Sequence, residues 1–158
     1  MRSARELMLA YTATIGDPDA TAALFTDDGV VELPYLESIG APSRATGPAE
    51  IRSFVSGLLE IVPDYGFDQV EILIDTPDQV FGEYSVERLT VTGKPFSQRY
   101  AGRLVAQNGK IKLLRESLDV VRAARAILPN GVADIPREWQ GKSARGHRST
   151  HPSEAHQQ

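Results

Sequence analysis

Two hydrophobic periods divide the chain. In its first 62 residues apolar positions recur at helical spacing. Leu7, Met8, Tyr11 and Ile15 fall on one helical face, Ser3 and Glu6 stand at capping-box spacing before them, and Gly16 ends the segment. Asp17 and Pro18 form a fresh N-cap and first-turn proline, which predicts a short helix through Leu24. In "LFTDDGVVELPY", residues 24–35, "TDDG" reads as a turn, because aspartate accepts tight turns and glycine supplies a positive φ; "VVELPY" reads as the strand it feeds. Gly40, Pro42 and Ser43 interrupt any period over residues 36–44, which predicts a loop. A third helix opens at Pro48, carries the stripe Ile51, Phe54, Val55, Leu58, Leu59 and Val62, and stops at Pro63.

From residue 70 the period becomes two. Val70, Ile72 and Ile74 mark one strand, "TPDQ" turns into a long strand over 80–91, and "TGKP" turns into another over 96–107. "QNGK" is a hairpin signal, since Asn-Gly suits a type I′ turn, and leads into a last strand over 110–118. Residues 120–128 predict a short closing helix. Three helices with one strand between the second and third, followed by four antiparallel strands, predict an α+β fold. Its three helices would pack on the concave face of a cone-shaped, curved antiparallel sheet. Such a cone is a natural small-molecule pocket. The predicted domain spans residues 1–128. The extension, residues 129–158, ends in "GKSARGHRSTHPSEAHQQ" and reads as a disordered tail.

The 158 residues suit one domain with its own core. The absence of cysteine excludes disulfides, thiolate nucleophiles and Cys-ligated zinc. A formal net charge of −4 argues against nucleic acid as a partner. No apolar run approaches the roughly 20 residues of a membrane span, and the N-terminus is too short and too interrupted in its apolar part for a signal peptide. A cytoplasmic protein with no membrane partner is the expectation. His147, His151 and His156, the only histidines, lie loosely spaced in the tail and suggest no metal site. With no glycine-rich phosphate loop and no nucleophile elbow either, no cofactor is expected.

The hairpins predict which side chains share a face. A two-residue turn at Asn108-Gly109 sets Ala106 opposite Ile111, Leu104 opposite Leu113 and Ala101 opposite Glu116. A three-residue "TGK" loop would place Glu83 opposite Arg103 and Glu87 opposite Arg99; a two-residue loop would oppose Arg88 and Arg99, an unfavourable like-charge pair. One face then carries Glu83, Ser85, Glu87, Arg99, Ala101, Arg103, Leu114, Glu116 and Leu118. The other carries Tyr84, Val86, Tyr100, Leu104, Ile111 and Leu113. The charged face is either solvated, with the apolar one on the core, or it lines the cone while the apolar face forms a homodimer. The pattern by itself favours the solvated reading.

Four stretches, in this order and spacing, carry a family resemblance: "LFTDDGVVELPY", "GAPSRATGPAEIRSF", "RYAGRLVAQNGKI" and "LLRESLDVVRAARAI". Over roughly residues 5 to 128 the chain resembles the nuclear-transport-factor-2-like superfamily. It looks most like the SnoaL-like polyketide cyclase and phenazine-biosynthesis branches, with ketosteroid isomerases more distant. The resemblance implies the cone fold. It also implies that Leu114, Glu116 and Leu118 face into the cone, which reverses the preference between the two faces. Tyr11 is similar to the isomerases' oxyanion-hole tyrosine. Leu33 stands where those enzymes keep a general base, Ala101 where they keep a second acid, and Phe54 where the phenazine family keeps a histidine.

The candidate site that follows has Glu116 as general acid or base, with Tyr11 and Arg103 stabilising a developing oxyanion. Arg99, Tyr35, Phe54, Leu58, Leu33, Ala101, Leu114 and Leu118 would bind substrate. The residues themselves equally allow Glu116 to be a structural ion pair with Arg99 or Arg103, and Asp27 and Asp28 to be turn formers beside Glu32. The implied function is a cofactor-independent enzyme of cyclase, isomerase or epoxide-hydrolase type. It would act on a hydrophobic carbonyl- or epoxide-bearing metabolite and form a homodimer through the sheet face. The alternatives are a non-catalytic ligand-binding or dimerisation module and, less favoured, an accessory subunit of a larger enzyme.

Overall fold

Local chemistry sets the helix ends in the computed structural model, which describes residues 1–137. Helix α1 (Ala4–Thr14) starts on a complete capping box: the Ser3 hydroxyl accepts from the Glu6 amide, and the Glu6 carboxylate accepts from the Ser3 amide at 2.7 Å. Helix α2 (Pro18–Ala22) is capped by Asp17 with proline in its first turn. Strand β1 (Phe25–Glu32) runs into a 3-10 helix (Pro34–Ile39) and a three-residue strand β2 (Arg44–Thr46). Helix α3 (Gly47–Ile61) ends just before Pro63. Then come β3 (Asp68–Asp75), β4 (Gln79–Leu89), β5 (Pro95–Gln107), β6 (Lys110–Leu118) and helix α4 (Val120–Ile127).

The six strands form one curved, open sheet in the order β2-β1-β6-β5-β4-β3, an α+β architecture with the helices on its concave face. Every pairing is antiparallel except β1 with β6, which is parallel. The core fills the space under the helices. Leu7 and Met8 of α1, Ile51 and Val55 of α3, and Val80, Val86, Leu104, Ile111 and Leu114 of the sheet are all buried there. Buried Gln98 ties α4 to the sheet, donating to the Asp119 carbonyl at 2.8 Å and accepting from the Asp119 amide at 3.0 Å. Asp119 in turn caps α4.

Three expectations are corrected. "TDDG" is not a turn. It lies within β1 as an irregular bulge, where Phe25 pairs with Ile111 but Val30 already pairs with Leu113. The bulge bends β1 close against β6, and a Cβ on Gly29 would stand 2.7 Å from the Ile111 carbonyl oxygen. Residues 36–44 are not all loop, since they hold most of the 3-10 helix and reach the start of β2. The β4–β5 connection is longer than three residues: Leu89 pairs with Pro95, so Glu83 faces Ala101 and Glu87 faces Ser97. That slip of two residues leaves each side chain on its expected face.

The β5–β6 register differs by one, and this matters more. The Asn108-Gly109 turn forms with both residues at positive φ, and Ala106 pairs with Ile111. Beyond it Lys112 is an extra residue on β6, so Val105 pairs with Leu113, Leu104 with Leu114 and Gly102 with Glu116. A one-residue slip reverses every face. Leu114, Glu116 and Leu118 therefore join Tyr84, Val86, Tyr100 and Leu104 under the helices, while Leu113 turns to the other side. The apolar face is covered by helices; the charged face, with Glu83, Arg99 and Arg103, is the sheet's outer one.

After α4 the chain makes a 3-10 turn (Gly131–Asp134), fixed by the Asn130 amide donating to Asp134 at 2.8 Å. Lys94 donates to the carbonyls of Leu128 and Pro129, and Ile135 packs against the core. The rest of the expected tail, with its three histidines, lies outside the described residues. Among the described residues no helix is long and apolar enough to cross a membrane.

Candidate functional site

Between α1, α3, α4 and the sheet lies a cavity of about 290 Å³. Apolar residues make most of its wall: Leu33 and Leu36 beside β1, Phe54, Leu58 and Ile61 of α3, Leu118 of β6, and Ala123 and Ile127 of α4. Phe54, Leu58 and Ile61 keep part of their surface in solvent. The polar exceptions include Tyr11, Tyr65, Tyr100 and Glu116.

Glu116 is 2 % exposed. Tyr11 donates to its Oε1 at 2.8 Å and Tyr84 to its Oε2 at 2.9 Å. Tyr11 reaches it from the buried face of α1, and Tyr84 from β4 across the intervening strand. That reach needs a glycine. Gly102 pairs with Gly82 on one side and Glu116 on the other, and a Cβ on it would stand 2.2 Å from the Tyr84 hydroxyl. Phe67 packs edge-on against the tyrosines, with ring centroids 4.7 Å from Tyr84, 5.4 Å from Tyr65 and 5.5 Å from Tyr100. Tyr65 donates to the Tyr100 hydroxyl at 2.7 Å.

Burial pushes the Glu116 carboxyl up to about 7, against the pull of the two tyrosine hydroxyls that stabilise its charged form. Burial first, and then the nearby carboxylate, holds Tyr11 and Tyr84 well above the ordinary tyrosine range. Tyr100 is raised for the same reasons, and Tyr65 by burial and then by Tyr100. All four stay protonated donors while Glu116 titrates near neutrality. Among the described residues no ion pair reaches Glu116.

Of the residues expected at the site, Glu116, Tyr11, Leu33, Phe54, Leu58 and Leu118 meet around this cavity. The others do not. Arg103 is exposed on the outer face, opposite Phe81 and 3.4 Å from the Gln79 side-chain oxygen. Arg99 is exposed opposite Ser85, and Ala101 lies on that same outer face. The Lys112 bulge is the reason: it turns Glu116 inward without turning β5. Leu114 is fully buried against Leu104 in the core, away from the cavity wall. Tyr35, 57 % exposed, points out from the 3-10 helix. Asp27, Asp28 and Glu32 form no cluster: Asp28 pairs with Lys112, and Glu32 with Arg44 and Arg115.

Tyr65, Tyr84, Tyr100, Phe67 and Gly102 were not expected at the site. Gly102 had a signal, a glycine inside a long strand in "RYAGRL", which marks a close approach of another group. Tyr84 and Tyr100 read only as members of the apolar sheet face. Among the described residues no group of histidine, aspartate and glutamate is placed to hold a metal ion.

The fold has many solved relatives. A candidate isomerase from Bacillus subtilis superposes with a TM-score of 0.69 at 21% identity, covering 78% of this chain and 91% of that one. A phenazine biosynthesis-related protein from Pseudomonas aeruginosa gives 0.69 at 20% identity, covering 89% and 91%. A candidate polyketide cyclase from Xanthomonas campestris gives 0.63 at 19%, covering 74% and 90%. At these identities the likeness is one of fold. No curated protein matches the chain by sequence. The SnoaL-like domain model matches residues 5–114, most of the cone, and the chain belongs to that family.

Proposed function

We propose that this protein is a cofactor-independent acid–base enzyme of the cyclase or isomerase kind, acting on a hydrophobic, carbonyl-bearing metabolite. One observation carries the reading: the cavity floor holds a buried carboxyl, Glu116, poised near neutrality and gripped by two tyrosine hydroxyls. A base works best with a pKa close to the operating pH, and burial supplies that here. As carboxylate, Glu116 takes a proton from substrate; as acid, it returns it. One group that does both in turn suits isomerisation or cyclisation, where the proton leaves and re-enters. Epoxide opening by water needs a second titratable group, and the rest of the cavity wall is mostly apolar, Leu33 and Phe54 included. Tyr11 and Tyr84 fix the carboxylate in place.

Those same apolar positions favour a second reading, a non-catalytic module that binds a hydrophobic ligand. A panel of planar polyketide, steroid and enone ligands separates the two. Binding retained with turnover lost in Glu116→Gln supports the enzyme. If no ligand in the panel is turned over by the wild type, and Glu116→Gln changes only stability, the acid–base reading falls.

A further inference from the structure

Four tyrosines are buried here, Tyr11, Tyr65 and Tyr100 on the cavity wall and Tyr84 bonded to Glu116 without lining it, and each hydroxyl carries a single proton to donate. Tyr11 and Tyr84 give theirs to Glu116, and Tyr65 gives its own to Tyr100. The Tyr100 proton alone has no acceptor among the described residues. A buried donor left without an acceptor carries a desolvation penalty that a bound acceptor would remove. Tyr100 is 6 % exposed and lines the cavity with Glu116. On the sheet it pairs with Leu118, two residues beyond Glu116, so it sits diagonally from the carboxyl on the same face. Accepting from Tyr65 polarises its O–H and strengthens it as a donor.

We propose that Tyr100, backed by Tyr65, is the subsite that receives the ligand's one polar atom, a carbonyl oxygen. The ligand class is then an apolar ketone or enone whose only strong acceptor sits on Tyr100 and whose carbon next to the carbonyl lies toward Glu116. The second clause rests on the acid–base reading; the subsite itself does not. Tyr11, whose proton is committed to the carboxylate, becomes a positioning residue for Glu116.

The test uses a naphthyl ketone whose emission moves to the red when its carbonyl accepts a hydrogen bond, with an alkylnaphthalene lacking the carbonyl as control. The wild type binds the ketone with red-shifted emission. Tyr100→Phe binds it about tenfold more weakly and without the red shift, yet binds the hydrocarbon as the wild type does, which shows that the cavity is intact. Tyr65→Phe gives a smaller loss, and Tyr11→Phe keeps the red shift. The proposal is overturned if the wild type gives no red shift, if Tyr100→Phe matches wild type on the ketone, or if Tyr11→Phe is the variant that loses the shift. Turnover by Glu116→Gln, scored on the ligand panel, reports separately on the acid–base reading: either can fail while the other stands.

Discussion

Replacing Glu116 by glutamine should abolish a pH dependence of stability that the wild type carries. The folded carboxyl is pushed from 4.5 up to about 7, so the native state holds its proton more tightly than the unfolded chain does. The sign follows. Protonation stabilises the fold; this contribution is fully present below about 4.5 and is lost as pH rises through about 7. At 1.36 kcal/mol per unit, the loss between pH 5 and pH 8 is about 2.5 kcal/mol. With a urea m-value of about 2 kcal/mol/M, the denaturation midpoint should fall by roughly 1 M over that range. Glutamine mimics the protonated acid in shape and cannot ionise. The remaining titrating groups are common to both proteins, so the difference between the two midpoint curves isolates Glu116. Carboxylates such as exposed Asp28 and half-buried Asp68, held low by Lys112 and Arg88, change mainly at more acid pH and cancel in the comparison. Parallel midpoint curves for the two proteins would refute both the buried-carboxyl geometry and its use as a base.

Other outcomes follow from the same geometry. Tyr84→Phe removes a donor that holds Glu116 down, so the midpoint of the stability difference, or of a pH–rate limb, should move to higher pH. Gly102→Ala puts a methyl on the Tyr84 hydroxyl and should lower stability by roughly 1–3 kcal/mol, read by thermal melting, while shifting the Glu116 limb in the same direction as Tyr84→Phe. Arg103→Ala, on the exposed outer face, should change stability by less than about 0.5 kcal/mol and leave ligand binding at the wild-type level; a binding defect would restore the arginine to the site. Leu33→Asp buries an unpaired carboxyl in an apolar wall and should destabilise by several kcal/mol at neutral pH, less in acid, checked by urea titration at both.

The helices were legible because their signals are local. A capping box, an N-terminal Pro18 and the stripe from Ile51 to Val62 depend on residues three or four apart, and each stands where those residues put it. The hairpin at Asn108-Gly109 was legible for the same reason. Long-range pairing was not. Nothing in "TDDG" announces that β1 bulges there to lie parallel to β6, because the cause is a strand some 80 residues away in sequence. Nor does the sequence separate Tyr84 or Tyr100 from ordinary core, since a buried tyrosine and a site tyrosine present the same pattern.

Glu116 shows how narrowly the site escapes a pattern argument. Alternation along β4 and β5 put the charged residues outside, correctly, and carried Glu116 outside with them. The family resemblance put Glu116 inside. Both hold at once because Lys112 is one residue too many on β6. Ile111 and Leu114 face inward with two residues between them instead of one, and every position after Lys112 changes side. Lys112 itself is held at the bulge by Asp28 of the bulged β1, so the two irregularities sit against each other. Were Lys112 to pair in regular register instead of bulging, Glu116 would stand opposite Ala101, beside Arg99 and Arg103 on the solvent face, as an ordinary surface ion pair. Arg115, not Glu116, would then stand opposite Gly102 on the inner face. The acid owes its burial, its two hydroxyl partners and its titration near neutrality to this one step in register.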